Sequence, residues 1–364
     1  MKLTAKIKLN PTEEQRQLLH DTLQRANAAC NHISEVAWTE KKFRQFDLHK
    51  LCYYPVREQF ELSAQIVVRA LGKVADSYKL DRKSKRTFKN HAAFPFDSRI
   101  VTYLLDTQEV NIWAVNGRQR MPFQAGKRQL ELLQFQQGES DLAFIRGEFY
   151  LFATCDIDEP TEDDVTEYMG VDLGIANIAT TDDGERHSGK HVNSVRHRNQ
   201  RLRSKLQKKG TKSAKRLLKK MSGRETRFAN DVNHCISKAI VIKAKRTGRG
   251  VALEELTGIR GRVRLRKSQR TQLHSWSFAD LGSKIVFKAK LYGVPVEYVD
   301  PAYTSQMCAC CGHVDKRNRK SQSIFLCTAC QFSEHADVNA AINIGRRVSV
   351  NAPYAVSDLG ENPA

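Results

Sequence analysis

Apolar positions recur along this chain at two different periods, and each change of period marks a part of the molecule. Residues 2–9 (KLTAKIKL) alternate basic and apolar side chains, the period-two pattern of a strand with one wet face. Asn10-Pro11-Thr12-Glu13-Glu14-Gln15 then reads as a helix start, with Asn or Thr as the cap, Pro in the first turn and Gln three residues after Thr12. Leu18, Leu19, Leu23, Ala26, Cys30, Ile33 and Ala37 follow at helical spacing. A second stripe runs through Phe60, Ala64, Val67, Ala70, Leu71, Val74 and Tyr78, and both read as core seams. The basic run 81–90 (DRKSKRTFKN) closes this helical block and is a candidate contact for backbone phosphates. From Arg99 to Ile157 the period returns to two. The runs IVTYLL, VNIWAV and GEFYLFATCDI are separated by turn signals at Asn116-Gly117 and Gln137-Gly138. With the N-terminal strand they predict a small β-barrel or curved sheet, and the acidic stretch 156–167 predicts a domain boundary.

Beyond that boundary the elements alternate. Tyr168–Gly174 (YMGVDLG) is an apolar strand carrying one acid, Asp172, and a second strand then reaches a turn at Asp182-Asp183-Gly184. Residues 196–228 hold fourteen Lys and Arg against one acid, with Leu202, Leu206, Leu217, Leu218 and Met221 interspersed. That pattern predicts one or two helices with a thin apolar seam and a basic exterior. A helix through Phe228, Val232, Cys235, Ile236, Ala239 and Ile240 leads to the strand Gly250–Leu253, which ends in Glu254 and Glu255. A carboxylate on a buried strand costs several kcal/mol unless it is paired or on a metal, whereas a strand that has reached solvent by Glu254 carries no such cost. A basic loop (260–270), a helix from Trp276 to Leu291 and a strand at 294–299 follow. The tail beyond Arg347 shows no pattern.

Composition narrows the class. The 364 residues allow two or three domains with a substantial core. Sixty Lys and Arg against 40 Asp and Glu leave a net charge of +20, which points to a polyanion, nucleic acid first. No apolar run approaches the ~18 residues that span a bilayer, and MKLTAKIKLN lacks a secretory apolar core. A cytosolic protein with reduced thiols is therefore expected. Of nine Cys, Cys30, Cys52, Cys155 and Cys235 read as inert packing residues.

The chemistry concentrates near the end of the chain. Cys308/Cys311 and Cys327/Cys330 form two Cys-x-x-Cys pairs separated by fifteen residues, the spacing of two knuckles that hold one tetrahedral zinc. Gly312 follows the first pair, and Gln331 makes the second slightly atypical. Cys310 could replace Cys308 or Cys311, although the Cys308/Cys311 pair keeps both the spacing and the Gly. Asp337 comes just after the second knuckle and opens an Ala- and Asn-rich helix. The order is thus strand–Asp172, hairpin, helix, strand–Glu254, helix, strand, finger, Asp337. This is the βββαβαβα order of a ribonuclease-H-like core, which brings three such acids to one point. Three convergent carboxylates repel one another unless divalent cations lie between them, so Mg²⁺ or Mn²⁺ binding and the fold imply each other.

In Gly170–Gly174, Leu253–Leu256 and Tyr303–Ile344 the chain resembles the TnpB (OrfB) family, compact transposon-encoded RNA-guided nucleases related to type V CRISPR effectors. The resemblance implies an α+β multidomain chain. It places a split β-barrel (WED) at 1–10 and 91–158, a helical insert (REC) at 11–90 and a RuvC-like core at 166–303 and 332–347. A zinc ribbon at 304–331 and a disordered tail at 348–364 complete that division. It implies Asp172, Glu254 and Asp337 as catalytic acids on Mg²⁺ or Mn²⁺, and Cys308, Cys311, Cys327 and Cys330 as ligands of a structural Zn²⁺. Members often carry a second acid two residues before the third, where this chain has His335. The implied partners are a guide RNA from the transposon end and a double-stranded DNA target cut beside a short motif, with no membrane. The implied place is the prokaryotic cytoplasm, at the nucleoid. A nuclease-inactive RNA-guided repressor and a DDE-type transposase are the rival readings.

Overall fold

The computed structural model describes residues 1–255 and 278–350, and the chain divides into two compact units between Asp158 and Glu159. The basic loop 260–270, Leu256, Trp276 and the tail from 351 lie outside the described residues.

In the first unit, β1 (Lys2–Leu9) points Leu3, Ala5, Ile7 and Leu9 inward and its basic residues outward, as the alternation predicts. It sits centrally in a seven-stranded sheet ordered β2 (Phe94–Phe96), β6 (Gln136–Ile145), β7 (Glu148–Asp156), β1, β5 (Gly117–Gln124), β4 (Glu109–Ala114), β3 (Val101–Leu104). Its antiparallel register on β7 is fixed by pairs such as Ala5↔Ala153. Helices α1 (Glu13–Glu40), α2 (Gln45–Gln59) and α3 (Ala64–Leu80) share one apolar core with this sheet.

Several local expectations need correction. Thr12 caps α1 in a capping box with Gln15, so Pro11 precedes the cap and is not in the first turn. The second stripe begins at Ala64, because Ser63 caps α3 there, and Phe60 ends the separate helix α2. Gly138, at φ +83°, marks an irregularity inside β6, where the register shifts between Gln136 and Ser140, and is not a hairpin turn. The short helix α4 (Lys127–Leu133) is an element the pattern did not announce. The run 81–90 is partly occupied with packing: Asn31 brackets Phe88 through both of its backbone groups, and Ser34 donates to the Arg86 carbonyl.

The second unit is built on a five-stranded sheet ordered β10 (Arg186–Ser188), β9 (Asn177–Thr181), β8 (Tyr168–Asp172), β11 (Gly250–Glu254), β12 (Val296–Val299). Strands β8, β11 and β12 run parallel, β9 pairs antiparallel with β8, and β10 pairs antiparallel with β9. Met169, Val171, Val251 and Leu253 form one core with Ile240 and Val241 of α6 (Lys212–Arg246) and Leu281 and Ile285 of α7 (Phe278–Tyr292). Against the other face lies α8 (Ala336–Val350). It crosses β8 so closely that a Cβ on Gly170 would lie 1.8 Å from the Ala341 carbonyl oxygen and 2.5 Å from the Gly345 nitrogen. The period-two alternation therefore sends Met169 and Val171 to one side and Gly170 and Asp172 toward α8.

The basic segment is a helix pair, α5 (Lys190–Lys209) and α6, which turns at Gly210 in the left-handed conformation and restarts on a Thr211 cap. The helix expected separately from Phe228 is the second half of α6, a single helix of 35 residues. Leu206, Ala214 and Met221 form a small seam of their own within the pair. Cys30, Cys52 and Cys155 are buried, but Cys235 is exposed, which corrects its reading as a packing residue. The last helix runs to Val350, past the tail boundary expected at 348. Among the described residues no helix is long and apolar enough to cross a membrane.

Candidate active site and metal centre

Asp172 and Glu254 each end a parallel strand. Register pairs Ala252 with Gly170 and Leu253 with Val171, so one step further along both strands stand Glu254 and Asp172, side by side on the α8 face. Asp337 lies in the first turn of α8, almost fully buried. The three acids expected to converge are thus brought into one neighbourhood, by strand pairing for two and by helix packing for the third.

Each carboxyl has its own company. Asp337 accepts from Asn177 Nδ2 at 2.9 Å and pairs with Arg319 at 3.3 Å. Glu254 accepts a 2.5 Å hydrogen bond from Thr304 Oγ1. Burial pushes the Asp172 carboxyl up to about 8, and the charges of Glu254 and Asp337 push in the same direction, while Arg319 opposes them. Burial also raises Glu254, against the pull of the Thr304 bond and of Arg347. Directly across the β8–β9 pair from Asp172, the buried Thr180 hydroxyl has no partner among the described residues. An all-oxygen donor set with surplus negative charge, and an orphan hydroxyl beside it, fits a hard divalent cation with its water shell.

The four cysteines meet as two similar knuckles. In each, the residue after the second Cys has a left-handed φ (Gly312 at +76°, Gln331 at +61°) and donates back to the carbonyl of the first Cys. Gln331 therefore bears a side chain where glycine is favoured, the atypical feature seen in the sequence. Cys308 and Cys330 sulfurs are 3.7 Å apart, and Cys311 and Cys327 sulfurs 3.6 Å apart. A disulfide requires about 2.05 Å. Four sulfurs on one zinc at about 2.3 Å lie roughly 3.8 Å apart, so the donor set fits that ion. Backbone N–H groups of Cys330 and Ala329 point at the Cys327 sulfur and hold its thiol down to about 6. Cys310 is exposed and outside the cluster. Among the described residues, this cluster is the one group of three or more ligand-type side chains whose donor atoms all lie within 4.8 Å of one another, so the three carboxylates are spread more widely.

Sequence reasoning missed the supporting shell. Asn177, Thr304 and Arg319 contact the acids, and His335 Nδ1 accepts from the Asp337 backbone N–H at the start of α8. The visible signal was the pair of asparagines in α8, Asn339 and Asn343, which are poor helix formers yet fully buried. A further cavity, on α5, is lined by Ser194, His197, Arg198, Arg201, Leu202 and Lys205.

Residues 153–256 match a family model described as a probable transposase (OrfB_IS605), and residues 278–344 match one described as a Cas12f1-like TNB domain. The first match contains Asp172 and Glu254, and the second contains all four clustered cysteines and Asp337. A TnpB-like protein of Methanocaldococcus jannaschii is 36% identical over 149 residues, 40% of this chain and 53% of that one. The chain is thus similar to TnpB (OrfB) proteins in the parts that carry both candidate metal sites. The chain is also similar to a CRISPR-associated endodeoxyribonuclease Cas12f1 of Sulfoacidibacillus thermotolerans and a putative RNA-guided DNA endonuclease InsQ of Escherichia coli. The first is 31% identical over 55% of this chain and 50% of its own length, the second 28% over 53% and 50%. The chain spans about half the length of the curated relatives it matches. The fold is shared with a solved Cas12f1–sgRNA–target DNA complex, at a TM-score of 0.64 and 16% identity over 92% of this chain and 83% of that one.

Proposed function

We propose that this chain is an RNA-guided DNA endonuclease of a transposable element, cutting a double-stranded target beside a short motif. The observation that carries the reading is the meeting of Asp172, Glu254 and Asp337 at the ends of two adjacent strands and the start of α8. Mg²⁺ or Mn²⁺ ions held there supply an activated water and a counter-charge for the leaving oxygen of a phosphodiester. Asp172, Glu254 and Asp337 would hold such ions, Asn177 and Thr304 orient Asp337 and Glu254, and Arg319 places a positive charge beside Asp337. The clustered cysteines hold a structural Zn²⁺.

The domain assignments follow the family: the sheet of the first unit as WED, α1–α3 as REC, the second unit as the RuvC-like core with the ribbon inserted before α8. The α5–α6 pair offers cations along a guide–target duplex, where backbone phosphates are read without regard to sequence. The names of the relatives support the nuclease and the RNA guide. The guide is taken to derive from the transposon end, and the protein to act in the cytoplasm at the nucleoid.

The test uses the full chain with its copurifying RNA and a plasmid carrying the matching sequence. Asp172→Ala abolishes cleavage and leaves RNA and target binding largely intact. Cleavage by that variant in Mg²⁺ would sink the assignment.

A further inference from the structure

One face of α8 is a polar stripe at helical spacing, Asn339, Asn343, Arg346 and Arg347, and it grips the segment 300–309 along its length. Arg347 donates to the carbonyls of Asp300 and Ala302. Asn343 Nδ2 donates to the carbonyls of Thr304 (3.0 Å) and Met307 (2.7 Å). Asn339 donates to Met307 O at 2.8 Å and accepts from Ala309 N at 2.9 Å, and Arg346 donates to Ala309 O. Six backbone groups of one short segment are thereby satisfied by four side chains of the helix whose first turn carries Asp337. Segment 300–309 contains Thr304 and ends in the first knuckle, with Cys308.

Thr304 is the pivot of this arrangement. Its carbonyl is held by Asn343, its hydroxyl donates to Glu254 Oε1 at 2.5 Å, and the residue is buried at 3% exposure. A hydroxyl fixed at both ends of its residue allows the Glu254 carboxylate few rotamers, and a ligand held in its binding rotamer spends less free energy on ordering when it meets a cation.

We infer that Thr304, locked by Asn343 and anchored to the cysteine knuckle, is a positioning residue that presents Glu254 to the cation site. The inference rests on the reading of Asp172, Glu254 and Asp337 as that site and names what orients one of its ligands. The α8 stripe then joins the two metal centres mechanically: the helix that delivers Asp337 also holds the strap that aims Glu254.

The experiment titrates Mn²⁺ into the full chain by electron paramagnetic resonance, with Asp172→Ala as the background for ions bound elsewhere. Thr304→Val keeps the side-chain shape and removes the hydroxyl. It raises the half-saturating Mn²⁺ concentration about tenfold, in the range seen when outer-shell partners of metal ligands are removed. Thr304→Ser restores the wild-type value, and the zinc content and melting temperature of both variants stay at wild type. A Thr304→Val protein with wild-type Mn²⁺ affinity overturns the inference and leaves the nuclease reading standing. A wild-type chain that binds no more Mn²⁺ than Asp172→Ala overturns that reading and the inference with it.

Discussion

The Asp172 carboxyl makes the charge state of the site measurable without any nucleic acid. A carboxyl raised from 3.8 to about 8 resists ionisation by roughly four tenfold steps, an upper limit of about 6 kcal/mol at 1.36 kcal/mol per step. The proton is shared in a cluster with Glu254 and Asp337, so the net destabilisation falls below that limit, on the order of 2 kcal/mol. The sign follows from linkage. The folded chain holds this proton more tightly than the unfolded chain, so the group weakens folding progressively as pH rises from about 4 to about 8, and not further above. Asp172→Asn keeps the shape and deletes the ionisation. In buffer without added divalent cations its melting temperature equals that of wild type near pH 4.5. It exceeds wild type at pH 8.5 by about 4–8 °C, using ~2–4 °C per kcal/mol for a unit of this size. Millimolar Mg²⁺ raises wild type toward the variant at pH 8.5 and leaves the variant unmoved. Differential scanning calorimetry reads all of these values. A variant less stable than wild type at pH 8.5, or a wild type indifferent to Mg²⁺, refutes the electrostatic account of the site.

Other consequences follow from single contacts. Cys327→Ser removes one of four sulfurs and lowers the zinc-to-protein ratio by elemental analysis; an unchanged ratio counts against the ribbon. Gly170→Ala drives a Cβ into the α8 backbone and costs about 1–3 kcal/mol, with Mn²⁺ binding lost because α8 carries Asp337. A variant that melts and binds Mn²⁺ like wild type would show that α8 is not seated as described. Arg198→Glu with Arg201→Glu on α5 weakens RNA and DNA binding across sequences and flattens its dependence on salt, measured by fluorescence anisotropy at several ionic strengths. Unaltered slopes place the backbone contacts elsewhere.

How far the sequence could be read depended on whether a feature was local. Asp172 alone reads as a possible turn former and Glu254 alone as evenly balanced, and the two stand out only through the order of elements that they share with Asp337. The cysteines were legible from spacing alone. The supporting shell was not: Asn177 lies 160 positions from Asp337 and Thr304 lies 50 from Glu254, and short polar residues before a turn or a Cys read locally as turn formers. Helix α2 escaped because Pro55 interrupts its interior and Phe46 and Tyr54 are exposed at 69% and 76%, which hides its apolar stripe. Helix α6 was read as separate pieces because its first half is almost wholly basic while its second half buries Ile236, Ile240 and Val241.

The claim on which the account stands is that Asp172, Glu254 and Asp337 share bound cations. A crystal of the full chain soaked in Mn²⁺ and measured at the manganese edge tests it directly. The account predicts anomalous peaks among these side chains, with carboxylate oxygens about 2.0–2.6 Å away. Peaks confined to other parts of the chain, with the three carboxylates making no contact to manganese, contradict it.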